Sequence, residues 1–225
     1  MFVNVVVFCA LSGSKQSCMP LIFQKQISEA TKIGVWHITE AEDFFSSRVN
    51  LQREISHPHK RLQHLAGRTL LLSLFPDFPV QLIQIADTRK PFLEDEDYHF
   101  SISHCGDYAA ALVSTENRVG VDIEIPQQKI ESLAYKFLSQ DEHGILRRLN
   151  KADREMFTLA WSAKEAMFKW YGSGNVDFKE DMQIIAVQES AEGFNTLCRF
   201  KKDIDQQLSI SSVFIEGNFL SFVMT

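Results

Sequence analysis

The chain has 225 residues, enough for one large domain or two small ones with separate cores. Hydrophobic residues make up 45% and charged residues 23%, which excludes a disordered chain, and a formal net charge of −6 argues against general nucleic-acid binding. Four scattered cysteines, Cys9, Cys18, Cys105 and Cys198, include no C-x-x-C pair and fit reduced thiols in a cytoplasmic protein.

Residues 1–11 are strongly apolar. No basic residue precedes them, however, and the run is too short to span a bilayer as a helix. We expect translation to start at Met19, which makes residues 1–18 an upstream extension and Pro20-Leu21-Ile22-Phe23-Gln24 the first strand. Residues 20–38 read as two short strands around 28–32. Thr39 with Glu42 gives a capping-box signal for a helix reaching about Asn50. His57-Pro58 opens a second helix, with Leu62, Leu65, Ala66, Leu70 and Leu72 on its apolar face, ending near Phe75-Pro76. Residues 81–87 alternate like a strand. The runs 98–103, 108–114 and 119–125 read as an antiparallel meander, with His104-Cys105-Gly106-Asp107 as the first loop. Beyond Pro126 the pattern becomes helical. Ser139 with Glu142 forms another capping box, and the longest helix runs from about Ala152 to Trp170 and stops at Gly172. Residues 182–224 are β-rich, with turns near Glu192-Gly193 and Glu216-Gly217. The segments 19–117 and 118–225 share an element order, which predicts an α+β fold of two similar subdomains.

Two elements carry candidate chemistry. In Gly120-Val121-Asp122-Ile123-Glu124 a strand places Asp122 and Glu124 on one face and Val121 and Ile123 on the other. Adjacent carboxylates repel unless a cation or solvent relieves them, so the fragment reads equally as a metal site or as a solvated acidic face. In Trp161-x-x-Lys164-Glu165-x-x-x-Lys169 a helix aligns Trp161, Glu165 and Lys169. Alone, Glu165 and Lys169 read best as a surface ion pair. Together, three carboxylates suit a hard, oxygen-seeking ion such as Mg²⁺, which keeps waters and binds phosphates, and Lys169 is placed for a phosphate. Zinc is disfavoured, because no His or Cys stands near these carboxylates in sequence. The basic stretch Arg53, His57, His59, Lys60, Arg61, His64 and Arg68 suits a polyanion, although a solvated helix face is the commoner fate of such runs. Arg89-Lys90-Pro91 is a basic turn, and Ser103-His104 ends a strand where a phosphate could be held.

Lys90-Pro91, Ser101-Ile102-Ser103-His104, the Gly120–Glu124 segment and the Trp161–Lys169 segment occur in an order that resembles the 4′-phosphopantetheinyl transferases, in particular the long type named after the surfactin-synthesis enzyme. The resemblance covers roughly residues 35–175, and its last two motifs are specific as a pair. It implies an intramolecular pseudo-dimer acting as a monomer, with coenzyme A between the halves. The implied reaction moves the phosphopantetheine arm of coenzyme A to a serine of an acyl or peptidyl carrier protein and releases adenosine 3′,5′-bisphosphate. By resemblance, Asp122, Glu124 and Glu165 hold Mg²⁺ and Lys169 binds the pyrophosphate. Ser103 and His104 contact coenzyme A phosphates, Lys90 lies near the nucleotide, and Arg53, Arg68 and Thr69 lie near the 3′-phosphate. The serine proton goes to Glu165 or Glu142. Neither nucleic acid nor membrane is an implied partner.

Two other readings compete. A metal-dependent nuclease also uses carboxylates and a lysine, but the Glu165–Lys169 spacing and the net charge disfavour it. A non-catalytic coenzyme A-binding or carrier-docking protein is disfavoured by the intact acidic trio.

Overall fold

The computed structural model describes residues 5–6 and 20–225. The expected Met19 start, Cys9, Cys18 and most of the 1–18 segment lie outside the described residues. The chain forms two compact units, divided after Asn117.

In the first unit the elements are β1 (Val5–Val6), β2 (Leu21–Gln26), β3 (Thr31–His37), α1 (Glu42–Ser46), α2 (Pro58–Leu74), a 3₁₀ turn (Val80–Leu82), β4 (Gln84–Ile85), β5 (Pro91–Phe92), β6 (His99–Cys105) and β7 (Tyr108–Ser114). The sheet order is β1-β2-β3-β7-β6, and β4 and β5 form a separate ribbon. All of these pairs are antiparallel. Helix α2 lies on the sheet against β3 and β7. It buries Leu65, Ala66, Leu70, Leu71 and Leu74 among Trp36, Phe45, Phe78 and Phe100. Its start follows the sequence signal: Pro58 stands at the first helical position, and the His57 ring nitrogen accepts from Lys60 N–H.

Three expectations in this unit are corrected. Helix α1 has five residues, not a run from Thr39 to Asn50, and its N-cap is Ala41 without a side-chain bond. Glu42 turns instead to Arg61, whose guanidinium donates to both carboxylate oxygens at 2.7 and 2.8 Å. Residues 81–87 form no full strand, because their alternation buries Ile83 while leaving Leu82 and Ile85 exposed. The meander stops after two strands. β6 and β7 form a hairpin around Gly106, which sits at φ 55°, so His104 and Cys105 belong to β6 with Ser103 and not to a loop. The next strand joins the other sheet.

That strand, β8 (Val119–Glu124), opens the second unit, followed by α3 (Lys129–Phe137), α4 (Gln140–Arg147), α5 (Asp153–Tyr171), β9 (Met182–Ser190), β10 (Gly193–Phe200), β11 (Gln206–Ile215) and β12 (Asn218–Met224). The sheet order is β8-β12-β11-β10-β9, antiparallel throughout. β8 is an edge strand paired with the C-terminal strand, a contact between residues about a hundred positions apart. Helix α5 packs on β8 and β12. The capping box of Ser139 and Glu142 is present in both directions. Gly172 ends α5 in the left-handed region at φ 77°, where a residue without Cβ is favoured. The chain is therefore α+β. Among the described residues no helix is long and apolar enough to cross a membrane.

Candidate functional site

The second unit brings its strand and helix motifs together by a close backbone approach. A Cβ on Gly120 would lie 2.1 Å from the Ala166 carbonyl oxygen and 2.6 Å from the Trp170 nitrogen. Helix α5 therefore lies directly on the face of β8 that carries Gly120, Asp122 and Glu124. Val121 and Ile123, on the opposite face, are fully buried. Glu165 and Lys169 recur one turn apart on α5. Lys169 reaches across to the strand, with its Nζ 2.7 Å from Asp122 Oδ1. Asp122 is 2% exposed, so this ammonium is its close counter-charge in a poorly solvated place.

Glu165 registers the other carboxylates. Its pKa is raised to about 7, first by burial and next by the Asp122 carboxylate; Lys169 pulls it down and Glu124 adds a smaller upward push. A carboxyl whose charge is opposed by burial and by neighbouring carboxylates is a donor that a divalent cation would relieve. All the donors are oxygen, which suits Mg²⁺. Among the described residues no three His, Cys, Asp or Glu side chains already stand in a ready-made metal cage. The positive charge found against Asp122 is that of Lys169. Beside Glu124 opens a mostly apolar groove of about 190 Å³, lined also by Ile125, Ile130, Leu133 and Trp161.

Glu142 sits elsewhere in this unit. It is 2% exposed, and both of its oxygens are engaged. Oε2 accepts from Ser139 N–H at 2.7 Å, and Oε1 accepts from Ile184 N–H at 2.8 Å and lies 2.6 Å from Lys164 Nζ. Lys164 is fully buried and also donates to the carbonyls of Phe137 at 2.6 Å and Phe178 at 2.8 Å. Burial pulls its pKa below the usual lysine value, against the opposing pull of Glu142. Sequence reasoning quoted Lys164 within its motif and gave it no role. The signal was there: Ala160, Trp161, Met167 and Phe168, its neighbours at helical spacing, are all apolar.

In the first unit the basic stretch divides. Arg61 is committed to Glu42, and His59 Nε2 lies 3.0 Å from Asp107 Oδ1. His64 meets His104 edge to face, with ring centres 5.1 Å apart. Its pKa is lowered to about 4, mainly by burial and then by His104, Arg68, Lys60 and Arg53. Arg53, Arg68 and His104 thus converge on one electropositive spot, whose centre, His64, the sequence reading left within the charge run. Burial also pulls Arg68 below its ordinary value. Thr69 is buried and donates to Leu65 O at 3.0 Å within its own helix. Ser103 is buried in β6 beside His104. Lys90 follows Arg89, which sits at φ 67°, in the tight turn between β4 and β5.

Residues 118–220 match the model of the 4′-phosphopantetheinyl transferase superfamily, a stretch that contains β8, α5 and the carboxylates Asp122, Glu124, Glu142 and Glu165. The matched stretch is less than half of the chain and lies wholly in the second unit, which is similar to this superfamily. It is similar to enterobactin synthase component D of Salmonella typhi, 36% identical over 113 residues, 49% of this chain and 47% of the relative. It is also similar to 4′-phosphopantetheinyl transferase AcpT of Escherichia coli O157:H7, 34% identical over 116 residues, 50% of this chain and 59% of the relative. The enterobactin synthase component D of Escherichia coli K12 is 34% identical over 113 residues, 49% of this chain and 54% of the relative. The aligned stretch thus spans about half the length of the curated relatives.

Proposed function

We propose that the protein transfers the 4′-phosphopantetheine arm of coenzyme A to a serine hydroxyl of an acyl or peptidyl carrier protein. The carrying observation is the meeting of Asp122, Glu165 and Lys169 at the β8–α5 contact, within the stretch that matches the superfamily. In this reaction the serine oxygen forms a bond to the β-phosphorus while the bond from that phosphorus to the bridging oxygen breaks. Adenosine 3′,5′-bisphosphate leaves with the bridging electron pair, and the serine proton must be accepted. Such a transfer needs positioning and charge neutralisation more than covalent help.

The residues divide the work. Asp122, Glu124 and Glu165 would hold Mg²⁺, which when bound supplies neutralisation of the diphosphate charge. Lys169, already engaged with a carboxylate, has the charge and reach to take a phosphate oxygen. Glu165, on the helix face that meets Asp122, is the carboxylate assigned to accept the serine proton. Glu142 is not suited, because Ser139, Ile184 and Lys164 already occupy its oxygens. In the first unit Arg53, Arg68, Ser103 and His104 are assigned to coenzyme A phosphates and Lys90 to the nucleotide. Thr69 fits its assigned contact less well, since its hydroxyl is turned into its own helix. The reading places the protein in the cytoplasm, where coenzyme A is available.

The test is a mass-shift assay with coenzyme A and Mg²⁺ over a panel of carrier proteins. Gain of one phosphopantetheine on a serine of at least one carrier is expected. A panel from fatty-acid, polyketide and peptide synthesis that gains no mass refutes transfer.

A further inference from the structure

Lys164 is a lysine with no exposed surface, and a lysine is rarely buried without a specific arrangement around it. Here three acceptors use its three donors: Phe137 O at the end of α3, Phe178 O in the segment after α5, and Glu142 Oε1 in the first turn of α4. Glu142 extends the node to Ser139 N–H at the α4 N-cap and to Ile184 N–H in β9. Five segments of the second unit are joined at one ion pair. Lys164 and Glu165 are consecutive on α5, so their side chains leave the helix about 100° apart. Fixing the direction of one fixes the direction of the other.

We infer that Lys164 and Glu142 are positioning residues, which set the rotation of α5 about its axis and thereby hold Glu165 and Lys169 against Asp122. The inference rests on the β8–α5 contact being the metal-binding and reacting site. A buried pair is a costly way to obtain stability alone. Two apolar side chains of similar volume often hold a core as well or better, whereas loss of one partner strands a buried charge. What the pair adds is direction. Hydrogen bonds to fixed carbonyls specify one rotation of the helix, and apolar packing tolerates several.

The experiment compares Glu142→Gln and the double variant Glu142→Leu/Lys164→Met with the unaltered full chain. Thermal unfolding, calorimetric Mn²⁺ binding without coenzyme A, and carrier modification are measured on each. The double variant is expected to keep a melting temperature near that of the parent while binding Mn²⁺ at least tenfold more weakly. It should also show a lowered kcat with little change in KM for coenzyme A. Glu142→Gln, which keeps the shape of the side chain but removes the charge opposite buried Lys164, is expected to melt below the double variant and to weaken Mn²⁺ binding in the same direction. A variant with parental Mn²⁺ affinity and kcat overturns the inference, leaving the pair purely structural. Glu142→Gln with parental Mn²⁺ affinity and a kcat at least about 100-fold lower also overturns it, because that is the signature of a lost proton acceptor. If the parent protein binds Mn²⁺ but modifies no carrier, the proposed function fails while the affinity comparison still decides the inference. A parent protein that binds no Mn²⁺ overturns both.

Discussion

Lys169 Nζ lies 2.7 Å from Asp122 Oδ1, joining the last turn of α5 to the middle of an edge strand. The partners are unequal: the Asp122 side chain is almost wholly buried, while that of Lys169 is 25% exposed. Removing the lysine takes a counter-charge from a buried carboxylate, whereas removing the carboxylate leaves a partly exposed ammonium that can turn to water.

Asp122→Ala should therefore abolish transfer without unfolding the protein. We expect the rate of carrier modification to fall on the order of 100-fold or more, as for loss of a group that stabilises transition-state charge. Thermal unfolding should shift little, because Lys169 can re-solvate and Glu165 loses a repelling neighbour. Near-parental activity would remove Asp122 from the metal set.

Gly120→Ala tests the backbone approach that creates the site. The added methyl would sit 2.1 Å from the Ala166 carbonyl oxygen and 2.6 Å from the Trp170 nitrogen, both helix backbone atoms that cannot swing aside. Helix α5 must move away from β8. A loss of at least about 1–3 kcal/mol is expected from such overpacking, measured by denaturant unfolding. Because the same movement separates Glu165 and Lys169 from Asp122, Mn²⁺ affinity should fall in the fraction that remains folded. A folded variant with unchanged affinity would mean that the strand and helix groups do not act together.

The local elements of this fold were readable because their signals are local. Pro58 after His57, the Ser139–Glu142 capping box and Gly172 each mark a helix end through neighbours a few residues away. β8 was misplaced for the opposite reason. Its partner β12 lies about a hundred residues on, and no turn residue announces that pairing. The 81–87 strand failed because alternation alone does not bury Leu82 or Ile85 when no neighbouring strand covers them. At the site, the acidic strand face and the Glu165–Lys169 helix face were legible from periodicity. The choice of Lys169 for Asp122 was not, since helical spacing offers Glu165 first. For Lys164 the apolar neighbours at helical spacing marked the burial, but its partners, carbonyls supplied by two distant segments, were not legible.

His64 predicts how the first unit responds to acid. Its pKa is held at about 4 in the folded chain, against an ordinary 6.5. Above pH 6.5 the ring is neutral in both states and carries no penalty. As pH falls from 6.5 toward 4, the unfolded chain takes up a proton that the folded chain refuses, so stability is lost through that window. His64→Gln should flatten the decline in melting temperature between pH 7 and pH 5. Coenzyme A should flatten it in the parent as well, because a bound phosphate offsets the positive charge of Arg53, Lys60, Arg68 and His104 and lets His64 protonate. A decline that is equally steep in His64→Gln would assign the acid sensitivity to other groups.

Lys169 is predicted to have opposite effects in the absence and presence of the nucleotide. Without coenzyme A its ammonium lies on Asp122 and competes with any cation that needs that carboxylate. Lys169→Met keeps most of the stem and removes the charge, so Mn²⁺ should bind the free protein more tightly, by about fivefold if the pair is worth ~1 kcal/mol. With coenzyme A present, the same variant lacks the group assigned to the diphosphate, and kcat/KM for coenzyme A should fall. Calorimetry on the free protein and turnover on a responsive carrier separate the two effects. Weaker Mn²⁺ binding in the variant would show that Lys169 supports the cation site instead of competing for it. An unchanged kcat/KM would remove Lys169 from the phosphate.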